Sequence, residues 1–428
     1  MNYNTQNAKI ASITEKTLIV GIDVGSETHY ARAFDWRNYE YTKKPLEFSN
    51  TEAGFQTFKA WMNELAEKYG KTAVIPGMEP TGHYWFALGK FLQDNGMKPV
   101  HVNPHHVKKS KELDDNNPNK NDRKDPKTIA ALVNEGRFSY PYIPTGIYAE
   151  IRSLSNLRFQ TQEELTRIKN RIARWFSIYF PEYKDVYGDL KAVSGRMVLK
   201  AAPLPEDIQK LGAEGVNQIW RDAKLRGAGM KRAKTLVSAA EHSVGSKEAP
   251  EAARIELRNL LNDMDVYAAR LEELLHGIGE KLKGIPYVDK LMGIKGIGLA
   301  TVSGFIAEVG DIGRFDNPKQ LQKLAGYAIV SNDSGKHNGE SRISYRGRKR
   351  LRYVLYEAAI SLIGKNREFK EIHEYYRARE KNPLKKMQSV IAVACKIIRV
   401  FYTILTKGVD YDGNRLLGDI RRPQVQAA

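Results

Sequence analysis

The chain has 428 residues, enough at roughly 150 residues per domain for two or three domains that each bury a core. It carries 68 Lys and Arg against 50 Asp and Glu, a formal net charge of +18, with 42% apolar and 10% aromatic residues. These values exclude a disordered chain and give no reason for a small-metabolite enzyme; a partner rich in phosphate, nucleic acid first, does explain the surplus, because each Lys or Arg laid on it releases a condensed counterion.

A polar leader, MNYNTQNAKI, lacks the apolar core of a secretory signal, and the lone cysteine, Cys395, permits neither an internal disulfide nor a cysteine-rich zinc site, so a cytoplasmic protein is expected. Residues 17–23 (TLIVGID) read as a buried strand, residues 29–35 (HYARAFD) as a second after the Gly25-Ser26 turn, and residues 45–49 as a third. Behind Thr51, a good N-cap, Phe55, Phe58, Trp61, Met62 and Leu65 recur at helical spacing. Residues 72–78 then read as a strand, 84–95 as a helix and 98–103 as a strand, with a further helix after it. Three strands followed by alternating helices and strands imply an α/β domain with a mixed sheet. That is the element order of ribonuclease-H-like domains, which the actin-like ATPase fold shares at its start.

From about residue 149 to 282 the strand signals vanish. Leu165, Ile168, Ile172, Trp175, Phe176 and Tyr179 fall three or four apart, and Leu257, Leu261, Met264, Tyr267, Leu271 and Leu274 repeat the pattern. The spacing predicts two long helices, paired as an antiparallel coiled coil or built into one continuous all-α domain, around an irregular Gly- and Ala-rich insertion at residues 201–250. Beyond Pro286 the chain reads as helical, interrupted by a polar loop at residues 331–344. Its longest apolar run, residues 390–405, is broken by Lys396 and Arg399, which makes it a buried helix rather than a membrane span. The expected divisions are 14–145, 149–284 and 285–415.

Asp23 ends the most apolar strand of the N-terminal domain, and Glu79 ends the strand that begins at Thr72. Asp122 and Asp125 lie three apart at a helix start (NDRKDPKTIAAL), a spacing that puts both on one side, with the cations Lys120 and Arg123 beside them. Four such acids in a basic chain suit a hard divalent cation, Mg²⁺ or Mn²⁺, that keeps positions open for phosphate oxygens. Two ions would clamp the attacking and leaving oxygens of a phosphodiester. Other readings stand beside this one: GIDVG around Asp23 also resembles the first phosphate loop of sugar kinases, and Asp125 before Pro126 suits a helix N-cap.

Residues 291–315 (LMGIKGIGLATVSGFIAEVGDIGRF) place apolar residues around Gly296-Ile297-Gly298. This is the pattern of a helix-hairpin-helix, whose glycines let backbone N–H groups reach a DNA phosphate, or of a plain Gly-rich turn. Residues 331–352 (SNDSGKHNGESRISYRGRKRLR) follow, with Lys336 and then Arg342, Arg346, Arg348, Lys349, Arg350 and Arg352, a set suited to phosphates or to a solvated helix face. Ser334-Gly335 sits at the loop tip. A serine there is by default a turn residue; His337 or a metal cluster would make it a candidate nucleophile.

Taken in order, GIDVGSETH, MEPTGHYW, KNDRKD, the glycine hairpin and the LAGY-to-SG-to-RGRKRLR segment resemble the DEDD transposases of bacterial insertion sequences, bridge-RNA-guided recombinases related to the Piv DNA invertases. The resemblance spans roughly residues 17–410. It implies a RuvC-like, RNase-H-fold domain whose acids Asp23, Glu79, Asp122 and Asp125 bind Mg²⁺, and a C-terminal domain whose essential serine falls on Ser334. It further implies serine attack on a DNA phosphodiester, a composite site in a homodimer or tetramer, double-stranded donor and target DNA, a non-coding bridge RNA that pairs with both, and work at the nucleoid with no membrane. A RuvC-like nuclease using water, a site-specific invertase and a non-enzymatic architectural DNA- or RNA-binding protein are the alternatives. Where relatives carry proline before the Ser-Gly pair this chain has Ile329, which keeps Ser331 as a second candidate; Pro126 stands where relatives have alanine.

Overall fold

The computed structural model describes residues 3–114, 125–188, 190–330 and 341–421, which fall into two compact units, Met1–Ile143 and Pro144–Ala428. The first unit opens with helix α1 (Tyr3–Ala11), where the sequence reads only as a polar leader. Strands β1 (Thr17–Val24), β2 (Thr28–Phe34) and β3 (Leu46–Ser49) follow, then α2 (Glu52–Lys68), β4 (Ala73–Met78), α3 (Trp85–Asp94) and β5 (Val100–Val102). Helices α4 (Pro104–Asp114) and α5 (Asp125–Asn134) and a two-residue strand β6 (Phe138–Ser139) complete it.

The sheet runs β3-β2-β1-β4-β5-β6. Strand β1 is antiparallel to β2 and parallel to β4; β4 is parallel to β5, and the outer pairs β2-β3 and β5-β6 are antiparallel. This mixed sheet fits a ribonuclease-H-like domain. Alternation along β1 sorts its side chains between two cores. Leu18, Val20, Ile22 and Val24 pack with Phe55, Phe58 and Leu88 of α2 and α3, whereas Ile19 packs with Val100 and Val102 and with Ile129 and Val133 of α5. Thr51 caps α2 as expected, its hydroxyl accepting from the Gly54 N–H at 3.2 Å.

The described part of the second unit is almost wholly helical. Its first half comprises α6 (Gly146–Tyr179), α7 (Tyr183–Tyr187), α8 (Val193–Ala201), α9 (Pro205–Asp222), α10 (Met230–Glu241) and α11 (Pro250–Leu282). Helices α6 and α11 run antiparallel: Trp175 Nε1 donates to the Ala253 carbonyl at 3.0 Å near one end, and Lys281 lies 3.7 Å from Glu150 near the other. The insertion expected to be irregular is instead helical, in α9 and α10. Ile208, Val216, Trp220, Ala233, Leu236 and Ala240 supply buried faces between the small residues, and the one break inside α9 sits at Gly212, with φ +64°.

The second half comprises α12 (Val288–Met292), α13 (Leu299–Val309), a 3₁₀ turn (Ile312–Arg314), α14 (Pro318–Leu324), β7 (Ile329–Val330), β8 (Arg342–Ile343), α15 (Lys349–Lys365), α16 (Arg367–Ala378), α17 (Lys386–Lys407) and α18 (Gly413–Arg421). Segments 149–284 and 285–415, set apart in the sequence, share this unit because α6 and α11 each enter two cores. Leu165, Trp175, Leu257 and Met264 join α7 to α10, whereas Ile151, Ile278 and Leu282 join α12 to α17. Helix α17 is long and apolar enough to cross a membrane, yet Val393, Ala394, Ile397, Ile398 and Phe401 are buried in this second core, as its interrupting cations imply.

Candidate functional site

Two glycines place the acids of the first unit. Gly21 of β1 and Gly77 of β4 are register partners, and both lie under α5. A Cβ on Gly21 would stand 1.8 Å from the Pro126 carbonyl oxygen, and one on Gly77 would stand 2.6 Å from Val133 Cγ2. Nothing larger than glycine lets the helix come this close. Because strand side chains alternate, the residue two positions on from each glycine faces the same side. Asp23 therefore stands on the α5 face at the end of β1, and Glu79 follows the last residue of β4 in the same alternation. Asp125 opens α5, immediately before the proline that touches Gly21. All three are half-buried.

The turn after Asp23 is held by a residue to which sequence reasoning gave no role. His29 is fully buried, and its Nδ1 accepts the Gly25 N–H at 3.3 Å. Burial, outweighing the Asn50 side chain, holds its pKa below the ordinary histidine value, which keeps that acceptor available. Gly25 itself is required: a Cβ there would meet the Thr28 carbonyl oxygen at 2.4 Å. After Glu79 the chain turns tightly, the Thr81 N–H donating to the Glu79 carbonyl at 2.8 Å.

The donor chemistry, carboxylate oxygens alone, is that of Mg²⁺ or Mn²⁺. Among the described residues, however, no group of three His, Cys, Asp or Glu side chains is gathered closely enough to hold a metal ion. Asp122, with Lys120 and Arg123, lies outside the described residues.

Ser331, Ser334, Lys336 and His337 also lie outside them, but the segments on either side are described. Val330 of β7 pairs with Arg342 of β8, and Ile329 with Ile343. Beyond β8 the Ser344 N–H donates to the Ala328 carbonyl at 2.8 Å and the Arg348 N–H to the Leu324 carbonyl at 2.7 Å. Gly347 is pressed against this strap, where a Cβ would lie 2.4 Å from the Gly326 nitrogen.

The basic run divides into two sets. Arg342, Arg346 and Lys349 are exposed. Arg348, Arg350 and Arg352 are engaged within the fold: Arg348 Nη1 donates to the Glu308 carbonyl at 3.0 Å, Arg350 bonds Asn156 and lies over the Phe159 ring, and Arg352 Nη1 donates to the carbonyls of Ala325 at 3.0 Å and Tyr345 at 3.2 Å. With Arg152, whose Nε donates to the Ala307 carbonyl at 2.8 Å, Arg348 satisfies the C-terminal end of α13.

The glycine hairpin joins α12 to α13. Gly296, at φ +102°, is packed on α15, and its carbonyl accepts from Ser361 Oγ at 2.7 Å. Gly298, the N-cap of α13, is open, with nothing within 4 Å of where its Cβ would lie. Of the two, only Gly298 has the clearance that a backbone approach to phosphate requires.

Comparison with known proteins places these features in a family context. Residues 20–181 match a family model for IS110-type DEDD proteins, described as "Transposase", and residues 288–377 match one described as "Transposase IS116/IS110/IS902 family". The chain is 24% identical over 294 residues to an IS116 insertion-element protein of 44.8 kDa from Streptomyces clavuligerus, covering 67% of this chain and 71% of that one. It is 22% identical over 287 residues to a 42 kDa IS900 protein from Mycobacterium paratuberculosis, covering 66% and 71%. It is 21% identical over 406 residues to a 43.6 kDa IS110 protein from Streptomyces coelicolor, covering 94% and 97%. All three carry the description "uncharacterized".

Proposed function

Because the chain belongs to the IS110/IS116/IS902 family of insertion-element transposases, we propose that it moves DNA by serine attack assisted by carboxylate-held metal. Ser334 is the nucleophile, and Asp23, Glu79, Asp122 and Asp125 hold Mg²⁺ or Mn²⁺. The ion, when bound, supplies positive charge that favours an ionised hydroxyl and offsets charge on the phosphate.

This chain's own groups carry the covalent chemistry. The Ser334 oxygen forms an ester bond to a DNA phosphorus as one P–O bond of the strand breaks, and a proton replaces that phosphorus on the departing DNA oxygen. His337 stands near in sequence to take the serine proton. The phosphoserine ester retains the bond energy, so rejoining to a second strand needs no nucleotide cofactor. Arg342, Arg346 and Lys349, with Lys120, Arg123 and Lys336, hold the backbone of donor and target duplexes, and the hairpin at Gly298 contributes amide donors as a helix-hairpin-helix. The long α6-α11 pair serves as a coiled-coil joining region in a homodimer or tetramer. A bridge RNA reads sequence by pairing, which leaves the protein to recognise backbone shape and charge.

The observation that supports this reading is the paired glycines under α5, which set Asp23 and Glu79 on one face of adjacent strand ends with Asp125 at the helix start. The test is a denaturing gel of reactions on element-end DNA. Wild type is expected to leave a covalent protein–DNA adduct that Ser334→Ala lacks. An adduct that survives Ser334→Ala overturns the serine assignment, and hydrolysed ends without any adduct point to a nuclease using water.

A further inference from the structure

A cavity of about 510 Å³ opens in the second unit, among α6, α7, α8 and α11, and its lining includes none of the catalytic, metal-holding or DNA-contacting residues named above. Its size lies in the range of small-ligand pockets. The inner wall is apolar, with Leu165, Phe176 and Met264, and Tyr183 stacks on Phe176 with ring centroids 4.4 Å apart. The rim is cationic. Lys169 from α6 and Lys184 from α7 are exposed there, and Arg196 of α8 is anchored, its Nη1 donating to the Leu190 carbonyl at 2.6 Å and the Lys191 carbonyl at 3.1 Å. Among the described lining residues the one acid, Asp265, bonds Lys200, so it does not cancel the rim charge. The site therefore combines an apolar slot with positive charge at its mouth, anchored at Arg196.

A nucleotide unstacked from a single strand has the matching shape and charge: a planar base that gains by leaving water, and phosphates on either side that must remain near cations. An intact duplex does not, because its bases are stacked inward. A neutral apolar ligand leaves the cations unused, and an acidic peptide leaves the slot unused. We propose that this cavity takes up one splayed nucleotide of single-stranded nucleic acid, with the base against Phe176 and Met264 and the flanking phosphates on Lys169, Lys184 and Arg196. The site goes beyond the transposition chemistry and uses none of its residues.

The full chain is titrated into labelled ten-nucleotide oligo(dT), labelled oligo(U) and a duplex of the same length, with binding read by fluorescence anisotropy at fixed salt. Lys184→Glu reverses charge at an exposed position, and Ala268→Trp fills the slot. Lys234→Glu, on α10, controls for net charge. Each pocket variant is expected to weaken single-strand binding about tenfold while duplex binding changes less than about twofold, and Lys234→Glu is expected to leave both within about twofold. Loss on oligo(dT) alone or oligo(U) alone identifies DNA or RNA as the source; loss on both shows that base and phosphate are read without the sugar. Single-strand affinity unchanged in both pocket variants, or duplex affinity falling in step with it, overturns the proposal. The Ser334→Ala adduct assay reports separately on the transposition chemistry, so either reading can fail alone.

Discussion

Gly21 and Pro126 meet so closely that the hydrogen on Gly21 is all that fits: a methyl carbon in its place would lie 1.8 Å from the Pro126 carbonyl oxygen and 3.0 Å from the Ala130 nitrogen. Gly77, its register partner, meets a side chain instead, Val133 Cγ2 at 2.6 Å. Backbone cannot rotate aside and a valine can. Gly21→Ala is therefore expected to destabilise the protein by about 2–3 kcal/mol and Gly77→Ala by about 1 kcal/mol. Denaturant unfolding of the two variants checks the order, and equal midpoints would remove the distinction.

Burial of neutral histidine gives the first unit a pH dependence. His101 packs edge-on to Trp85 with ring centroids 4.2 Å apart, and burial pushes its pKa down to about 4. Between that value and the ordinary 6.5 the unfolded chain holds more protons, so stability rises with pH across this window and is lost as pH falls through it. Because His101 is only half-buried as a residue, the slope is expected below about 1.4 kcal/mol per pH unit. His101→Gln should flatten the unfolding midpoint between pH 6.5 and 4, and a profile identical to wild type would assign the slope to other groups.

Arg254 ties the first turn of α9 to α11. Its Nε and Nη2 donate to the two Asp207 oxygens at 2.9 and 2.8 Å, and Nη1 reaches Glu251 at 2.7 Å. Burial works against ionisation of Asp207, but the Arg254 side chain and the Leu204 amide outweigh it and hold the carboxyl below its ordinary range. That contribution is present above the unfolded carboxyl value, near 4, and is lost as pH falls through the lower folded value. Asp207→Asn is expected to cost about 1–2 kcal/mol at pH 7, and thermal melts should show the gap to wild type narrowing below about pH 4.

The two sets of cations near β8 predict different phenotypes. Lys349→Ala should leave the melting temperature within about 1 °C and lower the slope of log affinity against log salt by about 1, the signature of one lost phosphate contact. Arg352→Ala should lower the melting temperature by several degrees, since it frees the carbonyls of Ala325 and Tyr345. Parallel melts and salt titrations on duplex DNA separate the two; a salt slope that responds only to Arg352 would reverse their roles.

Much of the sheet is legible in the sequence because its strands are short apolar runs bounded by turn residues, as in TLIVGID before Gly25-Ser26. The long helices are legible from apolar spacing at Leu165 to Tyr179 and Leu257 to Leu274. Strand β6 is not, since two residues carry no periodicity. Helices α9 and α10 are missed because glycine and alanine weaken the local signal, while Trp220 and Leu236 acquire their meaning only from the core they share. The acids Asp23 and Glu79 stand out by position, but what aligns them does not. The signal was present as a repeated triplet, Gly21-Ile22-Asp23 and Gly77-Met78-Glu79: glycine, apolar residue, acid. Its sense depends on a helix that arrives some fifty residues after the second copy. Likewise Arg348, Arg350 and Arg352 look like their exposed neighbours, because a run of cations does not say which ones meet carbonyls.

Helices α6 and α11 are 34 and 33 residues long, and each threads two hydrophobic cores. Neither core can melt without fraying the far end of both helices. The second unit is thus thermodynamically spliced: its halves are expected to unfold in one cooperative transition, with a core substitution at Trp220 lowering hydrogen-exchange protection at Phe305, in the other core, as well as around itself.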